Sequence, residues 1–352
     1  MASRYEKALE IIRAAGAEAL LAASPSAVTW LTGFAGDIQT GPNPFAMSPF
    51  ALVTKDGPPM LIASEDDAQA APPGCATITF KGFTNEPLRL VDNALRAIKQ
   101  AVGSRKVAIE AATFPVALAT ELTWVDISAE LALAKAVKDP DEIIKLREAL
   151  ALCDVGQQEA RRCMEAGRTE LDVWATVKAA IERKAGERAP VLVDLLSGPR
   201  TDLVGKPPSS RVLQQGDLVL IDLAPRRSGY WGDSCTTVAL GKPSASVKTR
   251  YRMVRDVLER ATDAIRPGIV AGELDTLVRQ QLNYPHHTGH GLGTSYHEEP
   301  RIVPNSPAVL APNMVIALEP GMYGDGMGTR LERVMLVTDD GCEVLSQYDL
   351  DL

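Results

Sequence analysis

The 352-residue sequence predicts two domains of unlike class, an α/β domain over residues 1–130 and an α+β domain over residues 137–352. Three observations carry this. Short apolar runs alternate with amphipathic stretches up to about residue 128, the pattern of a layered α/β unit. Asp139-Pro140-Asp141 then starts a helix, with proline in its first turn and acids at the positive end of its dipole. From residue 191 onward strand-like runs dominate, broken by helical patterns around 245–265 and 271–282.

In chain order, YEKALEIIRAAG has helical periodicity and Gly16 ends it. AEALLAA suits a buried strand. PFALVTKDGPPMLIAS reads as two strands around a Lys-Asp-Gly-Pro-Pro turn. PLRLVDNALRAIKQAV is a second amphipathic helix. KVAIE, a helix in FPVALATEL and TWVDIS form a strand–helix–strand unit, which completes a three-layer domain. The boundary falls between about 128 and 138. A helix follows in TELDVWATVKAAIERKAG, with Thr169 as its cap.

Composition excludes several classes of function. The net charge of −8 argues against non-specific nucleic-acid binding and against a basic membrane-facing patch. No run of eighteen apolar residues occurs, and the N-terminus lacks the apolar core of a signal peptide, so a cytoplasmic protein is expected. The five cysteines are scattered with no C-x-x-C, which suits buried free thiols better than disulfides or a thiolate metal site.

Two apolar ribbons carry the chemistry. In QQGDLVLIDLAPRRSGYWGDSCTTVAL, a hairpin centred on Arg227 and Ser228 places Asp222 opposite Asp233. Facing like charges destabilise a ladder, and a bound cation would offset them. Two solvated aspartates are the competing account, but Asp222 sits inside the apolar run LVLIDLA. In NMVIALEPGMYGDGMGTRLERVMLVTDDG, a loop from Gly324 to Met327 places Glu319 opposite Glu332. A one-residue slip in either register would flip a side chain to the other face. All four histidines, His286, His287, His290 and His297, fall within HHTGHGLGTSYH between these ribbons. Four carboxylates match two divalent cations, and oxygen donors with an imidazole suit manganese, iron, cobalt or zinc. Two such ions can activate a shared water near neutral pH, which points to metal-assisted hydrolysis. A merely packed or pH-sensitive loop is the alternative for the histidines.

Together, D-x10-D, GHGLG, LEPGMY and GTRLE, in that order, resemble metallopeptidase family M24, with its creatinase-like or pita-bread fold. The likeness covers nearly the whole chain: WLTGF at 30–34 resembles the family's N-terminal-domain loop, and KAVKDPDEI at 135–143 its interdomain boundary. The resemblance implies an α/β N-terminal domain followed by a pita-bread catalytic domain, with metal ligands Asp222, Asp233, His290, Glu319 and Glu332. Glu319 would also shuttle a proton, His297 and His286 would be catalytic-site histidines, and Arg330 would order the site and meet a substrate carboxylate. No role is implied for His287, for which packing or exposure is expected. The implied activity is cleavage of the bond before proline, as Xaa-Pro dipeptidase or aminopeptidase P, by a metal-bridging hydroxide. The implied cofactors are two divalent ions, manganese favoured, and the implied assembly is a homodimer in which the N-terminal domain of one subunit closes over its partner's site. A small peptide is the expected partner, with no nucleic acid and no membrane.

The chain departs from the family pattern at three positions. Gly205 stands where a substrate-side histidine is usual, with Lys206 the nearest substitute. Cys235 and Thr236 replace a threonine and an arginine after the second aspartate. A hydrolase of another small C–N bond, such as an ectoine derivative, and a non-catalytic binding homologue are the alternatives.

Overall fold

The computed structural model describes residues 3–36, 46–82 and 89–352. The chain divides into two compact units, Met1–Lys135 and Ala136–Leu352.

The first unit contains helices α1 (Arg4–Ala14), α2 (Pro25–Thr32), α3 (Leu90–Val102), α4 (Val116–Ala119) and α5 (Ser128–Ala136). Its strands are β1 (Ala19–Ala22), β2 (Phe50–Thr54), β3 (Gly57–Ser64), β4 (Ala76–Phe80), β5 (Val107–Ile109) and β6 (Trp124–Asp126). They form one mixed sheet in the order β4-β3-β2-β1-β5-β6. Alternation along the strands makes the three layers. Leu20 and Ala22 join Ala51 and Val53 in a core with α1 and α2. Ala19 and Leu21 join Phe50 and Leu52 in a second core with α3 and α4.

Several expectations shift locally. WLTGF is no loop at its start: Trp30 and Leu31 are buried in the last turn of α2, whose N-cap is Ser24, whose first residue is Pro25, and whose C-cap is left-handed Gly33. The β2–β3 turn is tighter than expected. Thr54 pairs with Gly57, so both prolines enter β3. They are tolerated there because β4 pairs with β3 only from Met60 onward. The FPVALATEL helix shrinks to a single turn, and β4 was not foreseen. Residues 87–88 of the second helix pattern lie outside the described residues.

In the second unit, α6 (Pro140–Cys163) starts with a capping box between Asp139 and Glu142. Thr169 caps α7 (Glu170–Ala185), which ends at left-handed Gly186. Strands β7 (Val191–Ser197), β8 (Leu218–Arg227), β9 (Tyr230–Trp231) and β10 (Cys235–Ala239) make one sheet system, with β8 central. α6 and α7 cover it through Leu152, Val177 and Ile181 against Leu195, Val219 and Leu223. After α8 (Ala245–Ala264) and α9 (Ala271–Arg279) come β11 (Gly289–Gly291), β12 (Glu298–Ile302), β13 (Val315–Leu318), β14 (Gly321–Gly324), β15 (Met327–Arg330), β16 (Arg333–Val337) and β17 (Cys342–Val344). They form a five-stranded sheet, β12-β11-β13-β16-β17, and the ribbon β14–β15. α8 and α9 pack on this sheet through Val254, Leu258 and Leu274. Among the described residues, no helix is long and apolar enough to cross a membrane.

Candidate active site

A cavity of about 250 Å³ opens in the second unit, and both carboxylate ribbons reach it. It is lined by Asp222, Asp233, Glu319, Glu332, His286, His287, His297 and Arg330, together with Asp194 and Gly205.

The aspartate ribbon has a register other than the one expected. Arg227 pairs with Tyr230, so the turn is Ser228-Gly229 rather than one centred on Arg227 and Ser228. Both turn residues have positive φ, 50° and 84°, as a two-residue primed turn requires. Asp222 therefore faces Cys235, and Asp233 lies diagonally, two residues before Cys235, on the same face. The carboxylate directly opposite Asp222 is Asp194, on the other neighbouring strand. Gln157 of α6 fastens the ribbon from behind: its amide donates to the Ile221 and Ser234 carbonyls, and Thr236 donates to its oxygen.

The glutamate ribbon keeps the expected register. Leu318↔Arg333 and Gly321↔Arg330 flank Glu319 and Glu332. At those two residues the ladder opens: the Glu319 N–H donates to Thr288 and the Glu332 N–H to Cys235.

His290, buried on β11, comes from behind the cavity. A Cβ on Gly289 would strike the Ala317 carbonyl, and one on Gly291 the Glu299 carbonyl, so glycine on both sides lets β12 and β13 close around it. The His290 Nδ1 donates to the Gly291 carbonyl at 2.9 Å. A carbonyl can only accept, so Nε2 keeps its lone pair. It points between Asp233 Oδ2 and Glu319 Oε1, each 3.5 Å away. One donor atom each of Asp233, His290 and Glu332 lie within 4.8 Å of one another. Glu332 is buried, and its Oε1 has no hydrogen-bond partner among the described residues. A buried, unpartnered carboxylate oxygen beside a second carboxylate and an imidazole lone pair fits a divalent cation.

Electrostatics agree. Burial, then the neighbouring acids, pushes the Asp233 and Glu332 carboxyls well above their usual range. Burial pushes Asp222 up to about 7 against the pull of Arg330. Burial would also raise Glu319, but the hydrogen bond from His287, the neighbouring His290 ring and the charge of Arg330 hold it well below the usual value.

Arg330 is engaged by acids of the protein itself. Its Nη2 is in close contact with Asp222 and 3.5 Å from Asp194, and its Nε is 3.8 Å from Glu319 and 3.2 Å from the Cys235 sulfur. The His286 Nδ1 donates to the His287 carbonyl, and its Nε2 accepts from the Tyr323 hydroxyl at 2.9 Å. Burial lowers the His286 pKa to about 4, in keeping with a neutral ring. His297 lies beside His290, ring centres 4.3 Å apart.

His287 is neither mere packing nor idle exposure. Its Nε2 donates to Glu319 Oε1 at 2.6 Å, and Arg301 reaches its Nδ1 at 3.3 Å. Asp194 and Tyr323 were also missed. A lone acid inside the apolar run VLVDLL is the same signal that singled out Asp222. Of the three departures from the family pattern, only Gly205 lines the cavity. Thr236 is buried against Gln157, Cys235 is buried against Arg330, and Lys206 is exposed and takes no place in the lining.

Comparison with known proteins fits this site. Residues 144–339 match metallopeptidase family M24, and residues 4–137 match the creatinase/prolidase N-terminal domain. A probable dipeptidase PepE of Mycobacterium tuberculosis is 36% identical over 216 residues, 59% of this chain and 57% of that protein, so the match spans little more than half of the relative's length. A putative dipeptidase YkvY of Bacillus subtilis is 28% identical over 99% of both chains. The solved prolidase of Pyrococcus horikoshii shares the fold with a TM-score of 0.84 at 23% identity, covering 99% of both chains. The match to the family over more than half of its length, and the shared pita-bread fold, show that this chain belongs to metallopeptidase family M24.

Proposed function

We propose that this chain is a metal-dependent hydrolase that cleaves the bond before proline in small peptides, as an Xaa-Pro dipeptidase or an aminopeptidase P. The observation that carries the reading is the convergence of Asp233, His290 and Glu332 on one point, with the Glu332 Oε1 unpartnered among the described residues. Asp222, Asp233, His290, Glu319 and Glu332 would hold two divalent ions, with manganese or cobalt suited to this oxygen-rich set. When bound, such ions acidify water and polarise a carbonyl. Glu319, ionised and oriented by His287, accepts a proton and passes it to the leaving nitrogen. Arg330 holds Asp222 and Glu319 in place, His286 in the cavity lining is braced by Tyr323, and His297 offers a ring nitrogen to the peptide. A Pyrococcus furiosus Xaa-Pro dipeptidase, 30% identical over 62% of this chain, supports the substrate class. We extend the proposal to a cytoplasmic homodimer, which light scattering would test.

Gly205 supports a second reading, a different small C–N substrate, because it removes a side chain from the cavity wall. Mass spectrometry of manganese-reconstituted protein separates the two with an Xaa-Pro dipeptide, an Xaa-Pro-Yaa tripeptide, a Met-Ala-Ser peptide and a proline-free dipeptide. Proline-directed cleavage is expected. Loss of metal stabilisation worth several kcal/mol predicts that Asp233→Ala lowers kcat/KM on the order of 10³-fold. No turnover of any peptide with two metals bound would transfer the assignment to the second reading. An activity unchanged in Asp233→Ala would remove the mechanism.

A further inference from the structure

We infer that Asp194 sets substrate specificity by selecting a basic side chain, an ammonium on an aliphatic stem. The inference rests on the peptidase reading above.

Asp194 has no place in the proposed metal set, yet it projects into the same cavity. Register puts it there: it pairs with Asp222 across β7 and β8, and Leu192 pairs with Ala224 two residues further along. Side chains two apart share a face, so the acidic pair and the apolar pair lie side by side, roughly 7 Å apart along the strand. Five carboxylates and one guanidinium line the cavity. Asp194 shares Arg330 with Asp222 and Glu319: Arg330 Nη2 is closer to Asp222 than to Asp194, and Glu319 lies 3.8 Å from Nε. Arg330 is thus occupied rather than free to receive a substrate carboxylate, and Asp194 holds only the longer of its Nη2 contacts.

Gly205 supplies the room. It lines the cavity in a left-handed conformation, φ +68°, and nothing lies within 4 Å of where its Cβ would be. A histidine or any larger residue here would narrow the cavity beside Asp194. Leu192, Ala224 and Val204 offer apolar wall for a stem, and Asp194 a charge for its head.

The test compares Lys-Pro, norleucyl-Pro and Glu-Pro on manganese-loaded wild type and Asp194→Asn. Norleucine keeps the stem and removes the charge. Wild type is expected to favour Lys-Pro over norleucyl-Pro on the order of tenfold in kcat/KM, mostly through KM, with Glu-Pro poorest. Asp194→Asn brings the ratio to about one. A purely structural Asp194 would lower all three substrates in parallel and leave the ratio intact, which would overturn the inference. So would a wild-type ratio near one, whether or not the variant folds. Calorimetric titration of the wild type with L-lysine and L-norleucine gives a readout without turnover. Preference for lysine with no peptide cleaved would keep the charge selection and remove the peptidase reading. Cleavage without the preference would do the reverse.

Discussion

The aspartate ribbon and the glutamate ribbon solve the same problem with different degrees of compensation. Each turns on two residues of positive φ, Ser228-Gly229 in one and Asp325-Gly326 in the other. In the aspartate ribbon the ladder sets Asp222 against Cys235 and Asp194, and Arg330 lies among these acids. In the glutamate ribbon Glu319 and Glu332 fall between matched pairs, but both backbone amides leave the ladder. Glu332 keeps a buried oxygen with no partner among the described residues, whereas Asp222 has a guanidinium against it. Carboxylates crowded in this way cost stability that only a cation returns, the usual trade of stability for function.

The largest expected effect follows from that asymmetry. Glu332→Gln removes an acid whose ionised form the fold opposes. In chelated protein it is expected to stabilise the catalytic unit by about 2 kcal/mol, roughly 4–8 °C in Tm for a unit of this size. Asp222→Asn is expected to give a smaller gain, because it also strips Arg330 of a partner. With manganese added, both gains become losses relative to wild type. Differential scanning calorimetry with and without chelator measures all four values. Equal gains from the two variants would mean that Arg330 does not compensate Asp222.

A second difference lies in how the proton-accepting Glu319 is held. His287 donates to it and is itself met by Arg301, a chain with no counterpart at Glu332 among the described residues. His287→Gln is expected to cost about 10–100-fold in kcat/KM, as loss of a ligand's hydrogen-bond partner typically does. His286→Gln, acting on Tyr323 instead, is expected to cost less. Steady-state kinetics on an Xaa-Pro dipeptide ranks them, and a larger loss at His286 would reverse the order of importance.

The legible parts of this molecule were those written in short-range chemistry. Gly16 after the first helix, Pro140 after Asp139 and Thr169 before its helix announced helix ends that the structure keeps. The apolar run AEALLAA announced a buried strand, and β1 is buried along its whole length. The M24 fold was legible because apolar periodicity and motif order survive without any knowledge of pairing. Register was harder. Arg227, Ser228 and Gly229 allow two turn positions, and only the positive φ at Ser228 and Gly229 decides between them. The missed α2 carried its signals openly, Ser24, Pro25 and Gly33, but apolar Ala27–Leu31 lacks the polar face that marks a surface helix because it is buried. His287 was illegible for another reason. Its role depends on Glu319, thirty-two residues away, and no local pattern reports such a contact.

The smallest effect tests the turns themselves. Gly229→Ala and Gly326→Ala each force an alanine into left-handed backbone, at φ 84° and 71°, for about 1–2 kcal/mol. Urea denaturation should show similar losses. Metal affinity should not be equally affected. Asp233 is four residues from Gly229, whereas Glu332 is six from Gly326, and Glu319 and Glu332 are tied from the far side by β13 and β16. Competition against a chelator is therefore expected to show weaker manganese binding in Gly229→Ala and near-normal binding in Gly326→Ala. Equal affinities would mean that Gln157, reaching Ile221 and Ser234 from α6, and not the turn, holds the aspartate register.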